Sequence, residues 1–176
     1  LNVNDIPSIS HVNTLTGATE DKPLTITYAT LAAASNATDI EGPVLFRIES
    51  VTAGTLTKGG VVVTAGTTTL GTGETLVYTP AANVNGSGIA AFTVKAYDGT
   101  AASAGSAVQV SINVAAVNDA PTLTSLLTLI GATEDTPLTI AYSDLVGAND
   151  VDGTSPSFII GRSSMYHGPA VGETQP

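Results

Sequence analysis

The sequence contains no cysteine and no tryptophan. The first absence excludes a disulfide framework and a thiolate metal site, and leaves secretion open. The second, with aromatic residues at only 5% of the chain, leaves little of the stacking surface on which sugar sites usually rest. Bases are scarce as well. Five Lys and Arg stand against 15 Asp and Glu, a net charge of −10 over 176 residues. Such a surface repels phosphate backbones and anionic lipid, which argues against nucleic-acid partners and membrane-surface binding, and it attracts cations. Charged residues of both signs reach only 11%, below the usual quarter. The surface must therefore be built mainly from Thr, Ser, Asn, Gly and Ala, a composition that favours strands and turns. No apolar run approaches the ~18 residues of a membrane span, so no membrane insertion is expected, and the residues given show no signal-peptide pattern. The two histidines, His11 and His167, are far apart, and no His-Glu-x-x-His, Gly-x-Ser-x-Gly or Gly-x-x-x-x-Gly-Lys pattern occurs. Without a convergent constellation, the expectation is that the chain is not an enzyme.

What the chain has is an internal repeat. Val3-Asn4-Asp5-Ile6-Pro7 returns as Val117-Asn118-Asp119-Ala120-Pro121, an offset of 114 residues. Gly17-Ala18-Thr19-Glu20-Asp21-Lys22-Pro23-Leu24-Thr25-Ile26 returns at the same offset as Gly131-Ala132-Thr133-Glu134-Asp135-Thr136-Pro137-Leu138-Thr139-Ile140. Asp39-Ile40-Glu41-Gly42 then matches Asp150-Val151-Asp152-Gly153 after a short deletion. This period is too long for a solenoid unit and suits an independently folding sandwich. The repeat divides the chain into a complete module at 1–116, a truncated second copy at 117–160, and a non-matching tail at 161–176 expected to be disordered. The chain starts mid-motif and reads as a piece of something longer. A half sandwich has an unpaired edge and an uncovered apolar face, so the second copy is expected to be disordered, aggregation-prone or swapped with a neighbour.

Period-2 alternation places the strands of the first module. Leu24, Ile26 and Tyr28 form one strand, Val44, Phe46 and Ile48 another, and Glu74 to Thr79 a third closed by Pro80. Phe92, Val94 and Ala96 form a strand ending at Asp98-Gly99, and Val108, Val110, Ile112 and Val114 alternate most clearly of all. Thr55 to Val63, with Gly59-Gly60 inside, reads as a hairpin. A first strand near Ile9 to Leu15 brings the count to about seven, and residues 29–37 allow at most an uncapped helical turn. The fold class is therefore all-β, a Greek-key immunoglobulin-like β-sandwich followed by a truncated second copy.

Eleven of the 15 acids lie in the repeated motifs or their loops, with Glu49, Glu74, Asp144 and Glu173 outside them. Following strand directions, a chain entering at the top has Glu20-Asp21 at the bottom and Asp39 to Glu41 at the top. Asn83 to Gly86 then falls at the bottom, Asp98-Gly99 at the top, and Asn118-Asp119 at the bottom. One junction is thus expected to gather Glu20, Asp21, Asn118 and Asp119 from the first module with Asp150 and Asp152 from the second. The corresponding N-terminal junction would use Asn4, Asp5, Asp39, Glu41 and Asp98. Two unit charges at 4 Å repel by about 4 kcal/mol at an effective dielectric near 20. Ca²⁺, taking 6–8 oxygen ligands in flexible geometry, resolves such a cluster. The same residues are also good turn formers, and Asp-Gly and Asn-Asp pairs need no cation to explain them. Asp150 to Gly153 is not an EF-hand, because Ser155 stands where that loop needs glycine.

Four ordered motifs resemble the bacterial cadherin-like tandem repeats of large adhesins and repeats-in-toxin type surface proteins. They are Ala18-Thr19-Glu20-Asp21-Lys22-Pro23-Leu24-Thr25-Ile26, Tyr78-Thr79-Pro80-Ala81-Ala82-Asn83-Val84-Asn85-Gly86, Tyr97-Asp98-Gly99, and Val117-Asn118-Asp119-Ala120-Pro121. The resemblance covers residues 1 to about 160. It implies an extracellular, Ca²⁺-binding sandwich strung in arrays on a bacterial surface, serving adhesion or biofilm formation. Its partners would be neighbouring modules of the same chain and a host or biofilm surface ligand. By this resemblance Glu20, Asn118-Asp119 and Asp150-Val151-Asp152 would hold an inter-module ion. The chain departs from the family in three places: Glu41 stands where the repeat has Asp152, Asn83 to Gly86 offers amides in place of acids, and the second copy has no counterpart of Asp98. A different class of function, a glycan- or protein-binding module acting through its loops without calcium, stands as the alternative.

Overall fold

The computed structural model describes residues 3–126, 128–145, 147–153 and 156–159. The tail at 161–176 lies outside the described residues. The chain divides into two compact units, Leu1–Asn118 and Asp119–Pro176.

The first unit runs β1 (Leu15–Thr19), β2 (Leu24–Thr27), α1 (Tyr28–Ala34), β3 (Leu45–Val51), β4 (Thr55–Lys58), β5 (Val61–Val62), β6 (Thr69–Leu70), β7 (Thr75–Thr79), β8 (Gly86–Tyr97) and β9 (Val108–Ala115). One sheet has the order β1-β9-β8-β3-β6, the other β2-β7-β4-β5. Every pairing in them is antiparallel except β1 with β9, which run parallel. The inward faces of the two sheets share one core, as the alternation requires. Phe46, Ile48, Phe92, Val94, Val110 and Ile112 come from the first sheet, and Ile26, Leu56, Leu76 and Tyr78 from the second. The fold class expected from the sequence is thus the one observed.

Three local expectations are corrected. Tyr28 does not extend the β2 strand but opens α1, whose first turn is capped by the Thr27 hydroxyl accepting the Thr30 N–H at 3.0 Å. The helix buries Leu31 in the core, and the Tyr28 hydroxyl donates to the Val44 carbonyl at 2.7 Å. The first strand lies at Leu15–Thr19 rather than 9–15, where only the isolated bridges Ser8–Thr38 and Val12–Ser35 occur. Gly17, at φ 94°, puts an irregularity between Leu15 and Ala18, so two residues three apart both face the core and the period-2 pattern is broken. The short strand β6 was not expected at all. It is tied across the sandwich by Lys58 of the opposite sheet, whose Nζ donates to the Thr69 carbonyl at 2.6 Å and to Glu74 Oε2 at 2.7 Å.

The second unit is thinner. β10 (Thr122–Leu123) pairs with β11 (Ala148–Asn149), and Tyr142–Asp144 form a 3-10 turn. Residues 138–140, which repeat Leu24-Thr25-Ile26, form no strand. Ile140 is 46% exposed where its counterpart Ile26 is 1% exposed. In the first unit β2 is held by β7, and the described part of the second unit contains no strand corresponding to β7.

Candidate cation site

Three loops meet at one end of the first unit: the segment before β1, the connection from α1 to β3, and the turn after β8. Asn4 Nδ2 donates to Asp98 Oδ2 at 2.9 Å, and the Asp5 N–H donates to Glu41 Oε2 at 3.2 Å. Asn4, Asp39, Glu41 and Asp98 line one shallow depression together with Gly42, Pro43 and Leu45. Asp98 folds its own turn, its Oδ1 accepting the N–H groups of Thr100 at 2.6 Å and Ala101 at 2.7 Å, with Gly99 at φ 99°. The Ala101 N–H, then Asn4, then the Thr100 N–H hold its carboxyl below the ordinary aspartate value. Asp39 Oδ1 is buried and has no hydrogen-bond partner, a costly arrangement for a carboxylate oxygen.

The opposite end is organised by Glu20, which is 1% exposed. Asn85 Nδ2 donates to its Oε2 at 2.9 Å, and the Val117 N–H donates to its Oε1 at 2.5 Å. The amide of Asn85 first and the Val117 N–H second keep its carboxyl below the ordinary glutamate value, against the opposing effect of burial. Asp21 beside it is exposed, with φ 59°, and occupies the left-handed corner of the turn between β1 and β2. Its repeat counterpart Asp135 has φ 56°. The sequence reading missed Asn85 as a partner of Glu20, although the amide-bearing loop was noted and the two were expected at the same end.

Asn118 closes the first unit, whereas Asp119, Asp150 and Asp152 belong to the second. Within that unit the Asp119 N–H donates to Asp152 Oδ2 at 2.6 Å, and the Asp152 N–H to Asp150 Oδ1 at 3.1 Å. The first of these bonds reproduces Asp5 with Glu41 in the first unit, at equivalent positions of the repeat. The one-carbon difference between Glu41 and Asp152 is therefore tolerated in the same contact.

The polar side chains of the depression, Asn4, Asp39, Glu41 and Asp98, all carry oxygen, the donor chemistry of a hard divalent cation and unsuited to a soft one. Among the described residues, no three His, Cys, Asp or Glu side chains stand close enough together to hold a metal ion as they are placed. Asn4 turns its N–H toward Asp98, and a cation there would take the oxygen of the same amide.

Two sheets closed over a single core, with loops gathered at the two ends, define a β-sandwich module of the immunoglobulin and cadherin type. The family model of the cadherin-like domain matches residues 3–113, and the chain belongs to that family. Cadherin-like domains are typically non-enzymatic adhesion or structural modules. No curated protein and no solved structure matches the chain.

Proposed function

We propose that the chain is a spacer and adhesion module of a large bacterial surface or secreted repeat protein, stiffened by Ca²⁺ bound at its ends. The observation that carries this reading is the buried, unpartnered Asp39 Oδ1 in the depression it shares with Asn4, Glu41 and Asp98. A net charge of −10 supports it by favouring cations over anionic ligands. Bound Ca²⁺ supplies positive charge that offsets the mutual repulsion of Asp39, Glu41 and Asp98. The residues themselves supply the rest. Asn4 and Asp5 attach the entering segment to Asp98 and Glu41, and the turn of Asp98 holds its carboxylate in place. Module ends tied this way resist bending, which suits a rod of repeated units. In this reading the second copy repeats the arrangement through Asp119, Asp150 and Asp152, and Glu20, Asp21 and Asn118 serve the other end of the first module. The extracellular location and the surface ligand belong to the same proposal.

Calorimetric titration of the full chain with CaCl₂, with MgCl₂ as control, tests it. Saturable Ca²⁺ binding weakened in Asp39→Asn supports the reading. Absence of Ca²⁺ binding refutes it and favours a module whose loops bind glycan or protein directly.

A further inference from the structure

Asn85-Gly86 is the one Asn-Gly step in the sequence. Such a step is chemically reactive because glycine has no side chain to shield its backbone nitrogen from the neighbouring amide. Here the surroundings leave it open. Residues 85–88 are all exposed, and Gly86 sits at φ 134°. The β8–β9 pairing shifts register between Gly86 and Ile89, and the Gly88 N–H is taken by Asn113 Oδ1 at 2.8 Å. A strand end interrupted by such a register shift opens locally at low cost. The same Asn85 is the amide donor to buried Glu20.

We propose that Asn85-Gly86 is a self-modification site whose deamidation releases the Glu20 clamp. The Gly86 backbone nitrogen attacks Asn85 Cγ, the Cγ–Nδ2 bond breaks, and ammonia leaves with the Gly86 amide proton, closing a succinimide. Water then opens the ring at either carbonyl and leaves an aspartyl or isoaspartyl residue at position 85. No other reactant is needed. The consequence follows from the geometry. The N–H donor on Glu20 Oε2 is replaced by a carboxylate, and two like charges then face one another where one of them is buried. Glu20 also holds the Val117 N–H, so the segment leaving β9 loosens together with the start of β8. Exposure time in the environment thereby becomes a chemical change at one end of the module.

The test is ageing of the full chain in mildly alkaline buffer at physiological temperature, followed by peptide mapping with fragmentation that separates aspartyl from isoaspartyl products. Conversion is expected faster at Asn85 than at each other asparagine, with both products present and none at this position in Asn85→Gln. The aged protein and fresh Asn85→Asp are both expected to melt below the fresh wild type. Conversion at Asn85 no faster than elsewhere overturns the modification site. A fully converted chain that melts like the fresh protein overturns the release of the clamp.

Discussion

Glu20 accepts the backbone N–H of Val117 across 97 positions of sequence, at 2.5 Å and with its side chain buried. The acid that opens the turn between the first two strands therefore fixes the direction in which the chain leaves the last one. Replacing it with alanine removes the acceptor for both Val117 and Asn85. Both donors belong to exposed residues that water can reach, so the loss is that of two hydrogen bonds to a charged acceptor. Glu20→Ala is expected to lower the urea midpoint clearly, and Glu20→Gln, which keeps one carbonyl acceptor, to lower it less. Equal midpoints for the wild type and Glu20→Ala would show that the contact has no structural weight.

The core predicts larger effects. Phe92 and Phe46 are fully buried between the sheets, and truncation of such a residue to alanine costs about 3–5 kcal/mol. Gly54 is a backbone case. Its φ is +68°, and a Cβ there would lie 2.3 Å from the Thr79 carbonyl oxygen and 3.0 Å from the Tyr78 ring. Gly54→Ala is expected to cost more than about 1 kcal/mol, read from chemical denaturation. Tolerance of that substitution would mean the β7 strand shifts freely, contrary to the packing of Tyr78.

Acid should weaken the Lys58 staple. Glu74 is held below its ordinary value of 4.5, first by Lys58 and then by the Gly71 N–H. A depressed folded-state value means the stabilisation is fully present above pH 4.5 and is lost as pH falls through the folded value. The wild type is therefore expected to lose stability below that point more steeply than Glu74→Gln. The salt bridge is partly exposed, so the difference should shrink in high salt. Melting curves across acid pH, with and without added NaCl, check both statements.

Hydrogen exchange should separate the two units. Ile26 is buried in β2, which pairs with β7, whereas Ile140, at the same place in the repeat, is 46% exposed with no strand beside it among the described residues. Amides at 24–27 are expected to exchange at rates set by global unfolding and those at 138–141 far faster. Comparable protection in both segments would show that the second unit has found a strand partner.

Much of this was legible in the alternation of single strands. Val108 to Val114 reads without ambiguity because alternate residues face the core along a straight, regular strand. The strand at Leu15–Thr19 was misplaced because Gly17 breaks the alternation, and Tyr28 because an apolar residue after Ile26 continues a β pattern until Thr27 caps a helix. β6 escaped because two residues carry no period; long-range tethering by Lys58 reinforces it. For the candidate site, strand direction alone predicted which loops share an end, and Asn4 with Asp98 and Glu20 with Asn85 meet accordingly. Pairing depends on side-chain reach, which explains why Asn85 was seen as an amide and not as the partner of Glu20.

The most direct test of a calcium-stiffened module is a thermal melt of the full chain in EDTA and in about 10 mM CaCl₂. A site with an extracellular-type Kd of about 10⁻⁴ M would stabilise the folded state by about 2.7 kcal/mol at 100-fold excess, a rise of roughly 10 °C for a domain of this size. The account predicts that rise in the wild type, its loss in Asp39→Asn, and no comparable effect of MgCl₂. Superimposable melts in EDTA and CaCl₂ would contradict it and leave the acids of the depression as turn residues alone.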